Sequence, residues 1–173
     1  MKIDEIVLAR REDVNSVDQL FINCKTELLN KNIFQWDDSY PNRSYVEESI
    51  EEEELFILKR NEKVIGAVVL NEWQSSEWEV IPWQHQDGMY LIIHAFCIDP
   101  MYQGQGLAKL FLQFWEQYAK EHGYNGIRLD AFSGNAVALR FYETNGYIKR
   151  GEVEFPFKPK GHQTYYCYEK VMK

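Results

Sequence analysis

The sequence contains few cysteines, no long apolar run and no excess of basic residues. Its three cysteines, Cys24, Cys97 and Cys167, are odd in number and far apart, which predicts neither a disulfide framework nor a zinc cluster, and we expect no metal. No apolar run approaches the roughly 20 residues that a membrane-spanning helix needs, and the N-terminal stretch lacks the apolar centre of a signal peptide. We therefore expect a cytoplasmic protein that does not bind a membrane.

The charge balance is acidic, with 27 acidic and 19 basic residues and a formal net charge of −8. Binding to the phosphates of a nucleic acid needs a basic face, so we expect no nucleic acid partner. An acidic surface is compatible with a cationic small-molecule substrate, although many proteins are acidic for solubility alone. The length of 173 residues and the hydrophobic share of 45% suit one domain with a sizeable core.

Strand-like and helical patterns alternate along the chain, which predicts one α/β domain over residues 1–173. The run YLIIHAFCI (90–98) is too uniformly apolar for an edge strand, so we place it at the centre of a sheet. Asp13 and Ser44 are predicted to cap the first two helices. The predicted elements are strands over 3–13, 55–60, 64–73, 89–98, 126–132, 147–155 and 164–172, and helices over 13–29, 45–54, 106–123 and 135–146.

The stretch DPMYQGQGLAKLFL (99–112) places two glycines in a turn between the apolar strand and an amphipathic helix. Glycines at such a turn indicate either positive φ or close approach by another molecule. The first amides of a helix have no intrahelical partner, and with the helix dipole they favour an anion such as a phosphate. The turn lacks the Gly-Lys-Ser/Thr of a Walker loop, and Lys109 stands where the dinucleotide-binding pattern has its third glycine. A turn whose glycines serve only the path of the chain is the alternative.

Two motifs resemble those of the GNAT superfamily of N-acetyltransferases. Gln103-x-x-Gly106-x-Ala108 resembles the family's Q/R-x-x-G-x-G/A signature, and GNAVALRFYETNGY (134–147) resembles its segment of asparagine, helix and Phe-Tyr. The order of elements is also similar over nearly the whole chain. The resemblance implies a mixed, mostly antiparallel central sheet flanked by helices on both faces. It further implies direct transfer of an acetyl group from acetyl-CoA, without a metal, to a primary amine of a small molecule or peptide.

The resemblance also implies which residues hold the acetyl donor. Phe96, Cys97 and Ile98 would present backbone groups to the pantetheine arm, as an added strand does. Asn135 is similar to the family's asparagine that contacts the cofactor arm, and Tyr142 is similar to a tyrosine placed near the thioester sulfur. The pyrophosphate would bind the turn, which consists of Gln103, Gly104, Gln105, Gly106, Leu107, Ala108 and Lys109.

The implied reaction needs an acid for the departing thiolate and a base for the amine proton. We predict Tyr142 as the acid, because a phenol of pKa near 10 can protonate a thiolate of pKa about 8.5. His94 is a candidate base: it is similar in position to a histidine of the arylalkylamine branch and is expected to share a strand face with Phe96. Asp130 is a second candidate, at a position where some members carry a glutamate, although its shorter side chain also suits a structural role. Glu72, near the end of a hairpin strand, is a third, and water is the alternative to all of them.

The resemblance implies that the acceptor binds over loops, and in this sequence those loops mix aromatic rings with carboxylates. Such loops suit an ammonium group by cation–π and ion-pair attraction. The residues assigned to acceptor binding are Trp36, Asp38, Glu72 and Trp83. Packing of these aromatic rings onto the sheet, or a homodimer surface, is the alternative.

Two other functions stay open at the level of the sequence. One is a CoA-binding module of the same fold without catalysis, and the other is an interaction protein whose glycines only turn the chain. An acyl-cysteine route through Cys97 is disfavoured, because a cysteine inside a strand is usually a small buried hydrophobe. Binding of CoA, and release of its thiol in the presence of amines, would separate these hypotheses.

Overall fold

Strands and helices alternate along the residues that this computed structural model describes, 3–173. Within those residues no helix is both long enough and apolar enough to cross a membrane. In chain order the elements are β1 (Asp4–Leu8), α1 (Val14–Asn30), α2 (Arg43–Glu51), β2 (Leu55–Arg60), β3 (Lys63–Asn71), β4 (Tyr90–Ile98), α3 (Leu107–Glu121), β5 (Gly126–Phe132), α4 (Ala136–Thr144), β6 (Ile148–Glu154) and β7 (Thr164–Val171).

The strands form a seven-stranded sheet in the order β1-β2-β3-β4-β5-β7-β6. β4 and β5 pair in parallel, where Tyr90–Ile92 lies beside Gly126–Arg128. The pairs β1–β2, β2–β3, β5–β7 and β6–β7 are antiparallel. The predicted mixed, mostly antiparallel sheet is therefore confirmed, and so is the central place of the apolar strand β4.

The chain divides into two compact units, each with a hydrophobic core of its own. β4 and α3 contribute residues to both units. The first unit contains the chain up to Asn32, Trp36–Leu70 and Ile93–Trp115. The second unit contains Ile33–Gln35, Asn71–Ile92 and Glu116–Lys173.

The core of the first unit fills both faces of its strands. Apolar residues of α1, spaced three or four apart, pack with Ala95 and Cys97 of β4. Phe96 lies between these two residues, and its ring contacts the opposite layer, with ring centres 5.3 Å from Phe111 and 5.1 Å from Trp115 of α3. α1 and α3 therefore cover opposite faces of the sheet, which confirms the predicted layers.

The second unit gathers its core on one face of β5 and β7. Residues opposite each other in an antiparallel pair share a face, and on this face they are Arg128 with Glu169, Asp130 with Cys167, and Phe132 with Tyr165. The segment between β3 and β4, residues 72–89, packs three apolar side chains into the same core, namely Trp78, Ile81 and Trp83. The regular part of this segment is a short 3₁₀ helix, Ser76–Val80.

Two predicted helix caps and one predicted strand are wrong in detail. Asp13 precedes α1, but its side chain accepts a hydrogen bond from the Arg10 amide at 2.8 Å and pairs with Lys59 at 3.2 Å instead of capping the helix. α2 begins before Ser44, because Asn42 accepts the hydrogen bond of the Tyr45 amide at 2.9 Å. The first strand stops at Leu8 and a 3₁₀ helix, Arg11–Asp13, follows it.

Candidate active site

The glycine-rich turn lies in the first unit, between β4 and α3. At the end of β4 the Asp99 carboxylate accepts a hydrogen bond from the Met101 amide at 2.9 Å, which closes a short 3₁₀ helix. Gly104 and Gly106 then both have φ of +78°, the left-handed conformation that favours glycine. A side-chain carbon built on either glycine would meet no atom within 4 Å. The glycines are therefore needed for the path of the backbone, and the surface above them is open to a ligand.

The polar side chains of the turn bind to the protein itself. The Gln103 amide donates to the Ile98 carbonyl at 3.2 Å, and Gln105 accepts from Arg60 at 2.7 Å. Arg60 in turn pairs with Asp4 at 2.6 Å. These contacts fix the turn from both sides, which gives a physical reason for a glutamine at the first signature position. Backbone amides at the start of α3, together with the helix dipole, are the groups best placed to hold an anion.

Strand β4 leads into this turn through a distorted segment. Ala95 has φ of +50°, which is rare for a residue with a side chain. The predicted common face of His94 and Phe96 remains a prediction; both side chains are half-buried, and the residues beside them are buried.

The other two β4 residues assigned to the pantetheine arm are buried. Cys97 lies against Cys24, and burial, reinforced by that neighbouring thiol, raises the pKa of Cys97 well above its usual range. A thiol of raised pKa is a poor nucleophile, which further disfavours an acyl-cysteine route. The Ile98 carbonyl already accepts hydrogen bonds from Gln103 and, at 3.5 Å, from the Cys24 thiol.

In the second unit, Asp130 and Tyr142 lie close enough for the charge of Asp130 to act on the pKa of Tyr142. Asp130 of β5 is half-buried, and its Oδ2 accepts a hydrogen bond from the Trp78 indole at 3.0 Å. Burial raises the pKa of Asp130 to about 6, while the Trp78 hydrogen bond and the positive charge of Lys158 act to lower it. A carboxylate with such a pKa can both take up and release a proton near neutral pH.

Tyr142 of α4 is 7% exposed and packs near the rings of Tyr147 and Tyr168. Burial, with the negative charge of Asp130 as the second cause, raises the pKa of Tyr142 far above its ordinary 10. The phenol therefore keeps its proton at neutral pH.

Asn135 also lies in the second unit, and its side chain has two intramolecular partners. Its Oδ1 accepts from the Ala138 amide at 3.2 Å and so caps α4. Its Nδ2 donates to the Gln35 side chain at 2.9 Å. The contact of Asn135 with the cofactor arm remains a prediction. Asn135 would have to make that contact while its side chain also caps α4.

Of the four residues that were assigned to acceptor binding, two belong to the first unit and two to the second. In the first, Trp36 is half-buried with its ring edge-on to Phe21 at 5.9 Å, and Asp38 is exposed. In the second, Glu72 is exposed, and its carboxylate adds to burial in raising the pKa of Tyr124 to about 12. Trp83 is 7% exposed, and the Arg128 guanidinium covers its ring at 4.4 Å. Acceptor binding by all four remains a prediction.

Lys158 is a residue of the second unit that the sequence did not single out. Its Nζ donates to the Gln35 carbonyl at 2.7 Å and lies 5.8 Å from the centre of the Tyr165 ring. Its positive charge acts on Asp130, which is 28 positions earlier in the chain. No local sequence pattern joins residues so far apart, so this contact depends on the tertiary fold alone.

Comparison with known proteins gives a family and a set of similar folds. The family model described as "Acetyltransferase (GNAT) family" matches residues 15–147. No curated protein matches the sequence significantly. The GNAT-family acetyltransferase of Streptococcus agalactiae 2603 superposes with a TM-score of 0.83 at 20% identity, over 98% of this chain and 96% of that one.

Two further structures share the fold at lower identity. The ribosomal-protein-S18-alanine N-acetyltransferase of Escherichia coli has a TM-score of 0.70 at 14% identity, over 99% of this chain and 95% of that one. A chain of the NatC complex bound to Gag peptide and CoA has a TM-score of 0.71 at 15% identity, over 99% of each chain.

Proposed function

The chain belongs to the acetyltransferase (GNAT) family, and from this membership we propose that it is an N-acetyltransferase. It moves the acetyl group of acetyl-CoA directly to a primary amine of a small molecule or peptide, and residues 1–173 act as one catalytic domain. Similar folds include an N-acetyltransferase and a complex that holds CoA and a peptide. The observation that carries the proposal is the open turn at Gly104 and Gly106, at the start of α3.

In this proposal the turn holds the pyrophosphate of acetyl-CoA. A phosphate can approach the backbone only where no side chain stands in the way, and both glycines leave that space open. Lys109 adds a positive charge to the amides of Gly104–Ala108, and the backbone of Phe96–Ile98 would align the pantetheine arm. Bound acetyl-CoA supplies an acetyl group that is activated as a thioester.

We assign the proton transfers to Asp130 and Tyr142. Asp130 takes the proton of the attacking amine, because its carboxylate is ionised above about pH 6 and gains a proton more readily than an ordinary aspartate. Tyr142, still protonated, gives its proton to the departing sulfur. Burial is the main cause of the raised pKa of Tyr142, and the charge of Asp130 is the second; protonation of Asp130 removes only the second cause, which makes the phenol a stronger acid than it is beside the ionised carboxylate.

His94 and Glu72 are the competing candidates for the base. We prefer Asp130 because its pKa is raised to about 6 and because its charge acts on Tyr142, the proposed acid. For the acceptor we propose a cationic amine, held before deprotonation by Trp36 and Asp38.

Calorimetry with CoA tests the proposal at the turn. Gly106→Asp is expected to abolish binding, because the new carboxylate crowds and repels the pyrophosphate. Gly123→Asp is the matched control: Gly123 has φ of +73° and equally open surroundings, so the backbone strain is the same and affinity should be kept. Equal affinity in both variants would contradict the assignment. Binding of CoA without thiol release across an amine panel would instead indicate the non-catalytic module.

A further inference from the structure

The 72–89 segment is held by one buried ion pair of the second unit. Arg128 is 3% exposed and Glu169 is fully buried, and they pair at 2.9 Å. The remaining guanidinium nitrogens of Arg128 donate to the Gln74 side chain at 3.2 Å and to the His85 carbonyl at 2.6 Å. Arg128 of β5 therefore bonds to the segment near both of its ends, at Gln74 and at His85.

Glu169 strengthens the same attachment from β7. Its second oxygen accepts from the Gln84 amide at 3.0 Å and from Arg150 at 2.9 Å, and Arg150 also donates to the Gln84 side chain at 2.8 Å. A buried ion pair contributes little stability beyond what apolar residues of the same size would give. What an ion pair adds is geometry: the planar guanidinium and carboxylate groups hold their hydrogen-bond partners in one orientation.

The segment fixed in this way places Trp78 beside Asp130. Trp78 is 3% exposed, and its ring packs beside that of Trp83, with ring centres 5.3 Å apart. The Arg128 guanidinium lies over the Trp83 ring. The indole N–H then donates to Asp130 Oδ2 at 3.0 Å. Trp78 is the only hydrogen-bond donor that the structure gives to this carboxylate within residues 3–173.

We propose that Trp78 is a positioning residue for Asp130, and that the Arg128–Glu169 pair acts through Trp78 by fixing the segment that carries it. The proposal rests on the role of Asp130 in the proposed function. The groups that act on Asp130 are Trp78 and Glu77 from the segment and Lys158 from the loop between β6 and β7. Tyr142 of α4 and Cys167 of β7 also face it. Of these, the indole is the group that donates a hydrogen bond to the carboxylate and so sets its direction.

Carbon-detected NMR titration of the Asp130 carboxyl tests this without any enzyme assay. Trp78→Phe keeps an aromatic ring but removes the N–H, so the pKa of Asp130 should rise by about one unit, as expected for loss of one hydrogen bond to the charged form. Trp73→Phe, at a 65% exposed tryptophan of the same segment, is the control and should leave that pKa unchanged. An unchanged pKa in Trp78→Phe would overturn the proposal.

The route through the ion pair has its own variant. Arg128→Lys keeps a charge beside Glu169 but cannot reach Gln74 and His85 together, so it should raise the pKa of Asp130 in the same direction. In the Trp78→Phe background the same change should add almost nothing; an equal shift in both backgrounds would show that Arg128 does not act through Trp78. If Arg128→Lys does not fold, Gln74→Leu, at an exposed anchor, takes its place with the same expectation. Because the readout is a pKa, a lack of acetyltransferase activity would refute the proposed function and leave this result standing.

Discussion

Replacing Asp130 by asparagine should make the stability of the protein less dependent on pH. A folded-state pKa of about 6 against an ordinary 3.8 means that the native protein binds this proton more tightly than the unfolded chain. The stabilisation is fully present below about pH 4 and is lost as the pH rises through about 6. Each pKa unit corresponds to about 1.4 kcal/mol, so the ionised carboxylate costs up to about 3 kcal/mol at neutral pH. Asparagine keeps an oxygen for the Trp78 indole and carries no charge.

The assay is urea unfolding of the wild type and Asp130→Asn at pH 4 and at pH 7.5. Other titrating groups act equally on both proteins and cancel when the two free energies of unfolding are subtracted. That difference should move in favour of the variant by up to about 3 kcal/mol between the two pH values. A difference that stays constant with pH, or that moves in favour of the wild type, would refute the argument that burial raises the pKa of Asp130.

Three further predictions concern catalysis and binding. Tyr142→Phe should lower kcat by about 100-fold and leave the KM for acetyl-CoA within a few-fold, because only the proton for the sulfur is lost; steady-state kinetics check this, and an unchanged kcat would reduce Tyr142 to packing. The value of kcat/KM should rise with pH through about 6, and this limb should disappear in Asp130→Asn and persist in His94→Gln; a limb near pH 7 that only His94→Gln removes would make histidine the base. Trp36→Ala and Asp38→Asn should each raise the KM of the acceptor more than that of acetyl-CoA, and an unaffected acceptor KM would move the acceptor site elsewhere.

Local sequence patterns predicted the frame of the molecule and the glycine turn. The uniformly apolar β4 could only be a central strand, and the two glycines before an amphipathic helix required an unusual backbone, which the φ of +78° confirms. These features depend on neighbouring residues, so spacing alone reveals them.

The chemistry of the second unit depends on residues far apart in the chain and could not be predicted in the same way. Trp78 and Asp130 are separated by 52 positions, and Arg128 and Glu169 by 41. The pKa of Asp130 depends on its burial and on the charges that the fold places near it. The sequence of β5 alone predicts neither. The positive φ of Ala95 was missed for a related reason, since alanine in an apolar run gives no sign of a left-handed backbone conformation.

The most direct measurement follows the acetyl group itself. The protein is incubated with isotopically labelled acetyl-CoA and a mixed library of amines, peptides and alcohols, and the products are identified by mass spectrometry. We predict that the label appears as an amide on a primary amine with the wild type and with Gly123→Asp, and that it is absent with Gly106→Asp. Label on alcohols alone, on no acceptor at all, or equally on amines with Gly106→Asp would contradict the account.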